Sequence, residues 1–153
     1  MTYAKFGIMA LVLVAVMIGG CGAAIEKANQ AKCRANLNGI MKACAIYAAE
    51  NKDKYPENLK ILMDDDSDLL PADALKCPSD KSQRACSYLY VAPAPDAEEQ
   101  TLMLCDLKGN HAKVRCVAFK NTIGTRMSEE EFQAALKLPR NAAFAAALEK
   151  AGG

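Results

Sequence analysis

The 153-residue chain has no tryptophan, one histidine and no marked charge excess, with 19 Lys and Arg against 18 Asp and Glu. A net charge of +1 argues against a dedicated nucleic-acid binder, because such proteins carry a strong basic excess or stripe. The sequence has no C-x-x-C pair, which thioredoxin-like redox sites and zinc ribbons require. It also has no glycine-rich loop of the kind that binds phosphate. The composition, 52% apolar and 24% charged, instead favours one folded domain.

A long uncharged run lies near the amino terminus, where the twenty residues from Phe6 to Ile25 follow Lys5. This length is just enough to span a bilayer as a helix. The same run has the parts of a secretion signal, and the residues from Ile18 to Cys21 resemble a lipoprotein lipobox in which Cys21 is acylated. Both alternatives, a lipoprotein leader and a retained membrane helix, predict a membrane-anchored protein of the cell envelope.

Helical spacing of apolar residues is clearest over residues 24–51. We expect one broad stripe on this helix to face the core: Cys33, Leu37, Ile40, Met41, Cys44 and Tyr47. Gly39 lies within this helix and would allow another backbone to approach closely. Cys33 and Cys44 are about three turns apart, so any disulfide partners must come from the structure that covers this face.

The rest of the chain predicts short helices, about three antiparallel strands and a further helix. Residues 57–63 are expected to be helical, residues 86–91 a strand, and residues 101–119 a hairpin around Gly109. Ser128 and Glu131 form a capping-box pattern. The fold class is therefore α+β, with a long amino-terminal helix packed on a small antiparallel sheet.

Three regions follow from this order. Residues 1–25 are the leader or anchor, residues 26–139 the α+β domain with its helical stalk, and residues 140–153 an Ala-rich helical tail. Asn141 is the expected cap of that tail. Phe144 and Leu148 are its only large apolar groups, so we expect a loosely docked helix.

Catalytic chemistry is poorly supported by the sequence. His111 is expected in the hairpin turn, where Cys105 or Cys116 could lie close to it, but a nucleophile and base also need a third, orienting group. We therefore interpret His111 as a polar turn residue and expect no enzyme activity.

A metal site is equally weak in the sequence. Asp64, Asp66 and Asp68 form a run that suits Ca²⁺, yet Leu69 and Leu75 occupy positions where an EF-hand loop needs Gly and Glu. A solvated acidic loop is the favoured interpretation. We expect no cofactor, with calcium as the alternative.

Six cysteines remain after Cys21 and are candidates for disulfides in an exported protein: Cys33, Cys44, Cys77, Cys86, Cys105 and Cys116. Local spacing suggests the pairs Cys77–Cys86 and Cys105–Cys116. The alternative is that all six are reduced residues of the core, because an exported location permits disulfides without requiring them.

Several segments, in order, resemble the pilin-like (prepilin-type) proteins of planctomycete and verrucomicrobial bacteria, which are related to type IV pilins and type II secretion pseudopilins. The helix segment from Cys33 to Ile40 and the Tyr55-Pro56 exit are similar to the family's helix. Residues 69–79, with Ser87 and Tyr88, are similar to its central loop. Together with residues 131–133, the resemblance covers residues 33–136.

The family's carboxyl-terminal motif is a His, nine residues and then Asp-Gly. Here His111 has the right spacing, while Asn121 and Thr122 stand in place of Asp-Gly. At the amino terminus, cleavage after Gly7 would put Val12 at the fifth position, where prepilins carry a glutamate. A lipoprotein leader therefore explains this segment better.

The resemblance implies a non-enzymatic envelope protein with structural or secretion-related protein partners. One alternative is a true pseudopilin in a secretion or pilus-like fibre. Another is a periplasmic ligand- or calcium-binding lipoprotein.

Overall fold

A computed structural model of the chain describes residues 3–64, 69–120 and 123–152, with side chains from Gly22 onward. It has three α-helices in this part of the chain: α1 (Tyr3–Glu50), α2 (Glu129–Leu136) and α3 (Ala142–Lys150). Its strands are β1 (Tyr88–Tyr90), β2 (Leu102–Asp106), β3 (Val114–Phe119) and β4 (Thr125–Ser128). Three short 3₁₀ helices connect them: Leu59–Met63, Ala72–Leu75 and Pro139–Asn141. The predicted α+β class is confirmed.

The four strands form one antiparallel sheet in the order β1-β2-β3-β4. The predicted hairpin is confirmed as β2 and β3, with Gly109 in the left-handed region (φ 91°) at its turn. The sequence predicted about three strands, and the structure has four in its described part. The strand that was not predicted is β4, which runs directly into α2. Ser128 is both the last residue of β4 and the amino-terminal cap of α2, and the sequence pattern showed only the second role.

One face of the sheet is covered by α1, which packs against β3, β2 and the 3₁₀ helix Ala72–Leu75. The predicted stripe on α1 is confirmed, since five of its six residues are buried and Tyr47 is half-buried. These residues meet Met103, Leu104, Cys116 and Ala118 of the sheet, and we call this set the helix-side core.

The close backbone approach occurs at Gly124, whereas no atom lies within 4 Å of the position of a Cβ on Gly39. A Cβ on Gly124 would lie 3.0 Å from Asn38 Oδ1 and 3.2 Å from Leu37 Cβ. The Gly124 amide also donates to Asn38 Oδ1 at 2.6 Å. The expectation for Gly39 is thus wrong, because among the described residues no backbone approaches that glycine closely.

The opposite face of the sheet is covered by α2 and α3. This second core, the helix-pair core, consists of Leu102, Cys105, Val117, Phe132, Ala135, Phe144 and Leu148. The predicted capping box is confirmed, because Glu131 N donates to Ser128 Oγ and Ser128 N donates to Glu131 Oε2. Phe144 and Leu148 are buried, so α3 is firmly docked against α2 and not loosely attached.

Asn141 does not cap α3 through its side chain, contrary to expectation. Its carboxamide is fully buried, accepts from the Leu102 amide at 2.9 Å and donates to the Ala135 carbonyl at 2.9 Å. The side chain therefore joins the start of β2 to the end of α2 and supplies an acceptor to the buried Leu102 amide.

The predicted leader, residues 1–25, lies almost entirely outside the described side chains, and so does Cys21. In the portion of the chain that the structure describes, no helix has the length and apolar character needed to cross a membrane.

Candidate functional site: a buried cluster of thiols and imidazole

Three thiols and the only imidazole of the chain meet between α1 and the sheet. Cys33 comes from α1, Cys77 from the loop after Ala72–Leu75, His111 from the β2–β3 turn and Cys116 from β3. We call these four residues the thiol–imidazole cluster. Cys33 and Cys116 are fully buried, Cys77 is nearly so, and the His111 side chain has 0% exposure.

The reactive atoms of the cluster point at one another. His111 Nε2 lies 3.3 Å from Cys77 Sγ, and the Cys33 thiol interacts with those of Cys77 and Cys116. The ligand atoms of Cys33, His111, Cys116 and Asp106 all lie within 4.8 Å of one another. Side chains from four separate chain segments therefore converge on one small volume.

The other ring nitrogen of His111 is held by a carboxylate. Nδ1 donates to Glu26 Oε1 at 2.8 Å, and Glu26 also accepts from Ser79 Oγ at 3.2 Å and from Gln30 Nε2 at 3.0 Å. Burial opposes ionisation of Glu26, but these hydrogen bonds outweigh it and hold its pKa below the ordinary value. Glu26 thus fixes the ring so that Nε2 faces the thiols.

Asp106 lies at the edge of the cluster. Its Oδ1 accepts from the Cys116 amide at 2.8 Å. Its Oδ2 is buried without a hydrogen-bond partner among the described residues and lies 3.9 Å from His111 Nε2. Burial, together with the nearby Cys116 sulfur, raises the pKa of Asp106 to about 7.

Proximity shifts the pKa values of all four residues of the cluster. The hydrogen bond from Cys33 is the largest influence on the pKa of Cys77, lowered to about 5, and on that of Cys116, lowered to about 6. The interactions of Cys33 with Cys116 and Cys77 favour its protonated form, so the pKa of Cys33 is raised. Burial alone would lower the pKa of His111, but its contacts with Cys116, Cys77 and Glu26 raise it to about 11.

The remaining cysteines lie apart from the cluster, and all six cysteines after Cys21 are free thiols in the structure. The suggested Cys105–Cys116 pair is wrong, because Cys105 is opposite Val117 in the sheet and so faces the helix-pair core. The suggested Cys77–Cys86 pair is not formed either, since Cys77 faces His111 and Cys86 donates to the Tyr88 carbonyl.

Sequence reasoning missed this cluster: His111 lies in the predicted turn, but its side chain is buried against the thiols. One signal was available, because partners of Cys33 were expected from whatever covers its helix face. The side chains that interact with Cys33 are those of Cys77 and Cys116, and all three are free thiols. His111 was also expected near Cys105 or Cys116, and it lies beside Cys116.

The other predicted site residues do not join the cluster. Asp64 is exposed in a separate loop, and Asp66 and Asp68 lie outside the described residues. Asn121 and Thr122 lie outside them as well. Calcium binding by the three aspartates and the match to the end of the family motif therefore remain predictions.

Comparison of the chain with protein-family models, with curated proteins and with solved structures finds no match. The resemblance to pilin-like proteins therefore rests on the sequence segments alone.

Proposed function

We propose that the chain is a non-enzymatic protein of the cell envelope, in which α1 anchors a pilin-like α+β domain to the membrane. The observation that carries this proposal is the division of α1. From Cys33 to Ala48 the helix packs into the helix-side core, whereas residues 22–25 are exposed. The helix therefore extends beyond the domain towards the uncharged run from Phe6 to Ile25.

A structural or secretion-related role agrees with the chemistry of the domain. Three of its thiols and its imidazole converge in the thiol–imidazole cluster, where the side chains of Cys33, His111 and Cys116 are buried. A substrate would have no access to these groups in the described arrangement. A long helix packed on an antiparallel sheet is also the architecture that the pilin-like resemblance implies, although a fold alone does not fix a function.

The test is to express the full chain in a Gram-negative bacterium, fractionate the cells and determine the mature amino terminus by mass spectrometry. We expect the protein in the membrane fraction, with either a diacylglyceryl group on Cys21 or an uncleaved amino-terminal helix. Cys21→Ser is the matched variant, because it blocks lipidation and leaves a retained helix unaffected. A chain cleaved near residue 20, unmodified and fully soluble, would contradict the proposal.

The same spectrum tests the pseudopilin alternative. A prepilin peptidase would cut after Gly7 and leave a methylated Ile8 at the amino terminus. That result would indicate that the chain is a subunit of a fibre and not a singly anchored domain.

A further inference from the structure

We propose that Cys33, Cys77, Cys116 and His111 Nε2 are the four ligands of one structural Zn²⁺ ion. The site is inferred from the cluster itself and does not depend on where in the cell the protein resides.

The separations in the cluster fit a tetrahedral zinc site. With Zn–S bonds of about 2.3 Å and a Zn–N bond of about 2.0 Å, tetrahedral angles place sulfur and nitrogen about 3.5 Å apart and two sulfurs about 3.8 Å apart. The observed distance between His111 Nε2 and Cys77 Sγ is 3.3 Å. The ligand atoms of Cys33, Cys116 and His111 lie within 4.8 Å of each other. Side-chain adjustments that bring Cys77 Sγ to the other two sulfurs would complete the tetrahedron.

The donor types select the metal. Soft thiolates with one imidazole are the ligands that Zn²⁺ prefers in tetrahedral sites, whereas Ca²⁺ and Mg²⁺ require oxygen ligands. Any thiol that carries a proton releases it to solvent when the Zn–S bond forms.

Asp106 is the competing fourth ligand, because its Oδ2 is buried and unpartnered. We assign Cys77 instead, since its sulfur is 0.6 Å closer to His111 Nε2 than Asp106 Oδ2 is (3.3 against 3.9 Å). Oδ1 of Asp106 already accepts from the Cys116 amide, so Asp106 positions the ligand-bearing segment of β3.

The surroundings of His111 support a metal ligand. A ligating histidine almost always donates its second ring N–H to a carboxylate, a carbonyl or water, and His111 Nδ1 donates to Glu26 at 2.8 Å. Glu26 itself borders an open polar depression of about 460 Å³, also lined by Ser79, Asp80 and Asn110.

The buried, fully ligated arrangement makes the ion structural, because catalytic zinc sites keep one position open. One ion would join α1, the loop at Cys77, the β2–β3 turn and β3. Residues up to 83 positions apart, 33 and 116, would thus be tied at one point.

The experiment is metal titration of the full chain in detergent, reduced and stripped of metal with a chelator. We expect one Zn²⁺ per chain by elemental analysis. We also expect Co²⁺, used as the probe, to give the visible bands of a tetrahedral site and the strong near-ultraviolet charge-transfer band of three thiolates. A band with the intensity of two thiolates would overturn the assignment of Cys77 in favour of Asp106.

Variants locate the ligands. Cys33→Ser, Cys77→Ser and Cys116→Ser should each weaken Zn²⁺ binding at least tenfold. Glu26→Gln should weaken it about tenfold, as expected for the partner of a ligating histidine. Cys44→Ala and Cys105→Ala are the matched controls, because each removes a buried thiol from the same helix or the same sheet, and both should bind Zn²⁺ as the unaltered chain does.

Three results would overturn the proposal: no stoichiometric metal in the unaltered chain, an equal loss of binding in the two controls, or a disulfide from Cys33 to Cys77 or Cys116 in protein isolated without reductant. The Co²⁺ spectrum of the unaltered chain needs no variant, so a variant that fails to fold leaves the test intact.

Discussion

Cys105 and Cys116 occupy neighbouring strands of one sheet, and both are fully buried, yet their chemistry differs. Cys105 faces the helix-pair core, where burial is the largest influence and raises its pKa. Cys116 faces Cys33 and His111, and its pKa falls to about 6. Burial therefore does not decide the reactivity of a thiol in this protein, because the groups that share its side of the sheet decide it.

The same contrast separates the two cores as a whole. The helix-pair core is held by aromatic and aliphatic packing, with one buried carboxamide, Asn141, serving the backbone. The helix-side core contains the thiols of the thiol–imidazole cluster, at the end where Cys33 is the first residue of α1 in the core. The two faces should consequently respond to different perturbations, packing changes on one and metal or thiol chemistry on the other.

The largest expected effect is that of Phe132→Ala, which removes a fully buried ring from the helix-pair core. Loss of its packing and the cavity left behind should lower the free energy of unfolding by about 3–5 kcal/mol in urea denaturation. Leu138→Ala is the control, because Leu138 is 38% exposed and should change stability by less than about 0.5 kcal/mol. Zn²⁺ binding by the folded variant should be unchanged, and a loss of the metal would show that the two cores are not independent.

Asn141→Ala should have the next largest effect. The buried Leu102 amide would lose its acceptor, at about 1–3 kcal/mol, whereas the Ala135 carbonyl would still accept from the Leu138 amide. Asn51→Ala serves as the control, because the Asn51 side chain donates to the Tyr47 carbonyl at an exposed position. Equal unfolding free energies for the two variants would refute a bridging role for Asn141.

Gly124→Ala tests how tightly the sheet edge packs on α1. The added methyl group would meet Asn38 and Leu37, and we expect a loss of about 1–3 kcal/mol of stability. Gly39→Ala adds the same group to open space within α1 and should increase stability by about 0.5–1 kcal/mol. Thermal unfolding of the pair should therefore shift in opposite directions, and a shift of the same sign would contradict the assigned contacts.

The smallest effect concerns Glu129, which accepts from Arg115 Nε at 2.8 Å. This hydrogen bond holds the pKa of Glu129 below its ordinary value, so the folded state gains stability at pH values above that ordinary pKa. The gain should disappear as the pH falls through the lowered pKa. Because the Glu129 side chain is 42% exposed, Glu129→Gln should lose less than about 1 kcal/mol at pH 7.

Glu130→Gln is the control for this titration, because it removes a carboxylate from the same first turn of α2. Urea denaturation of both variants at pH 7 and near pH 3 should show a difference only at the higher pH. A difference that persists at pH 3 would assign the effect to packing and not to charge.

Much of the fold could be predicted because its determinants are local. The apolar stripe of α1, the β2–β3 hairpin around Gly109 and the cap at Ser128 are each encoded within a few turns of chain. β4 could not be predicted, since its four residues run directly into the cap of α2.

The thiol–imidazole cluster could not be predicted for a different reason. Its residues, at positions 33, 77, 111 and 116, follow no short spacing and meet only once α1 covers the sheet. The wrong Cys105–Cys116 pair also depends on tertiary structure, because Cys105 is paired with Val117 and not with Cys116. This one-residue difference in register places the two cysteines on opposite faces of the sheet.

Glu26 has a mechanical consequence for the proposed anchoring. It fastens α1 to the domain through His111 and Ser79, at a point five residues after Cys21. Along a helix this distance is about 7.5 Å. If Cys21 carries the lipid, a short helical segment holds the domain close to the bilayer. Because Glu26 fixes this segment to the domain, any tilt of the helix turns the whole domain with it.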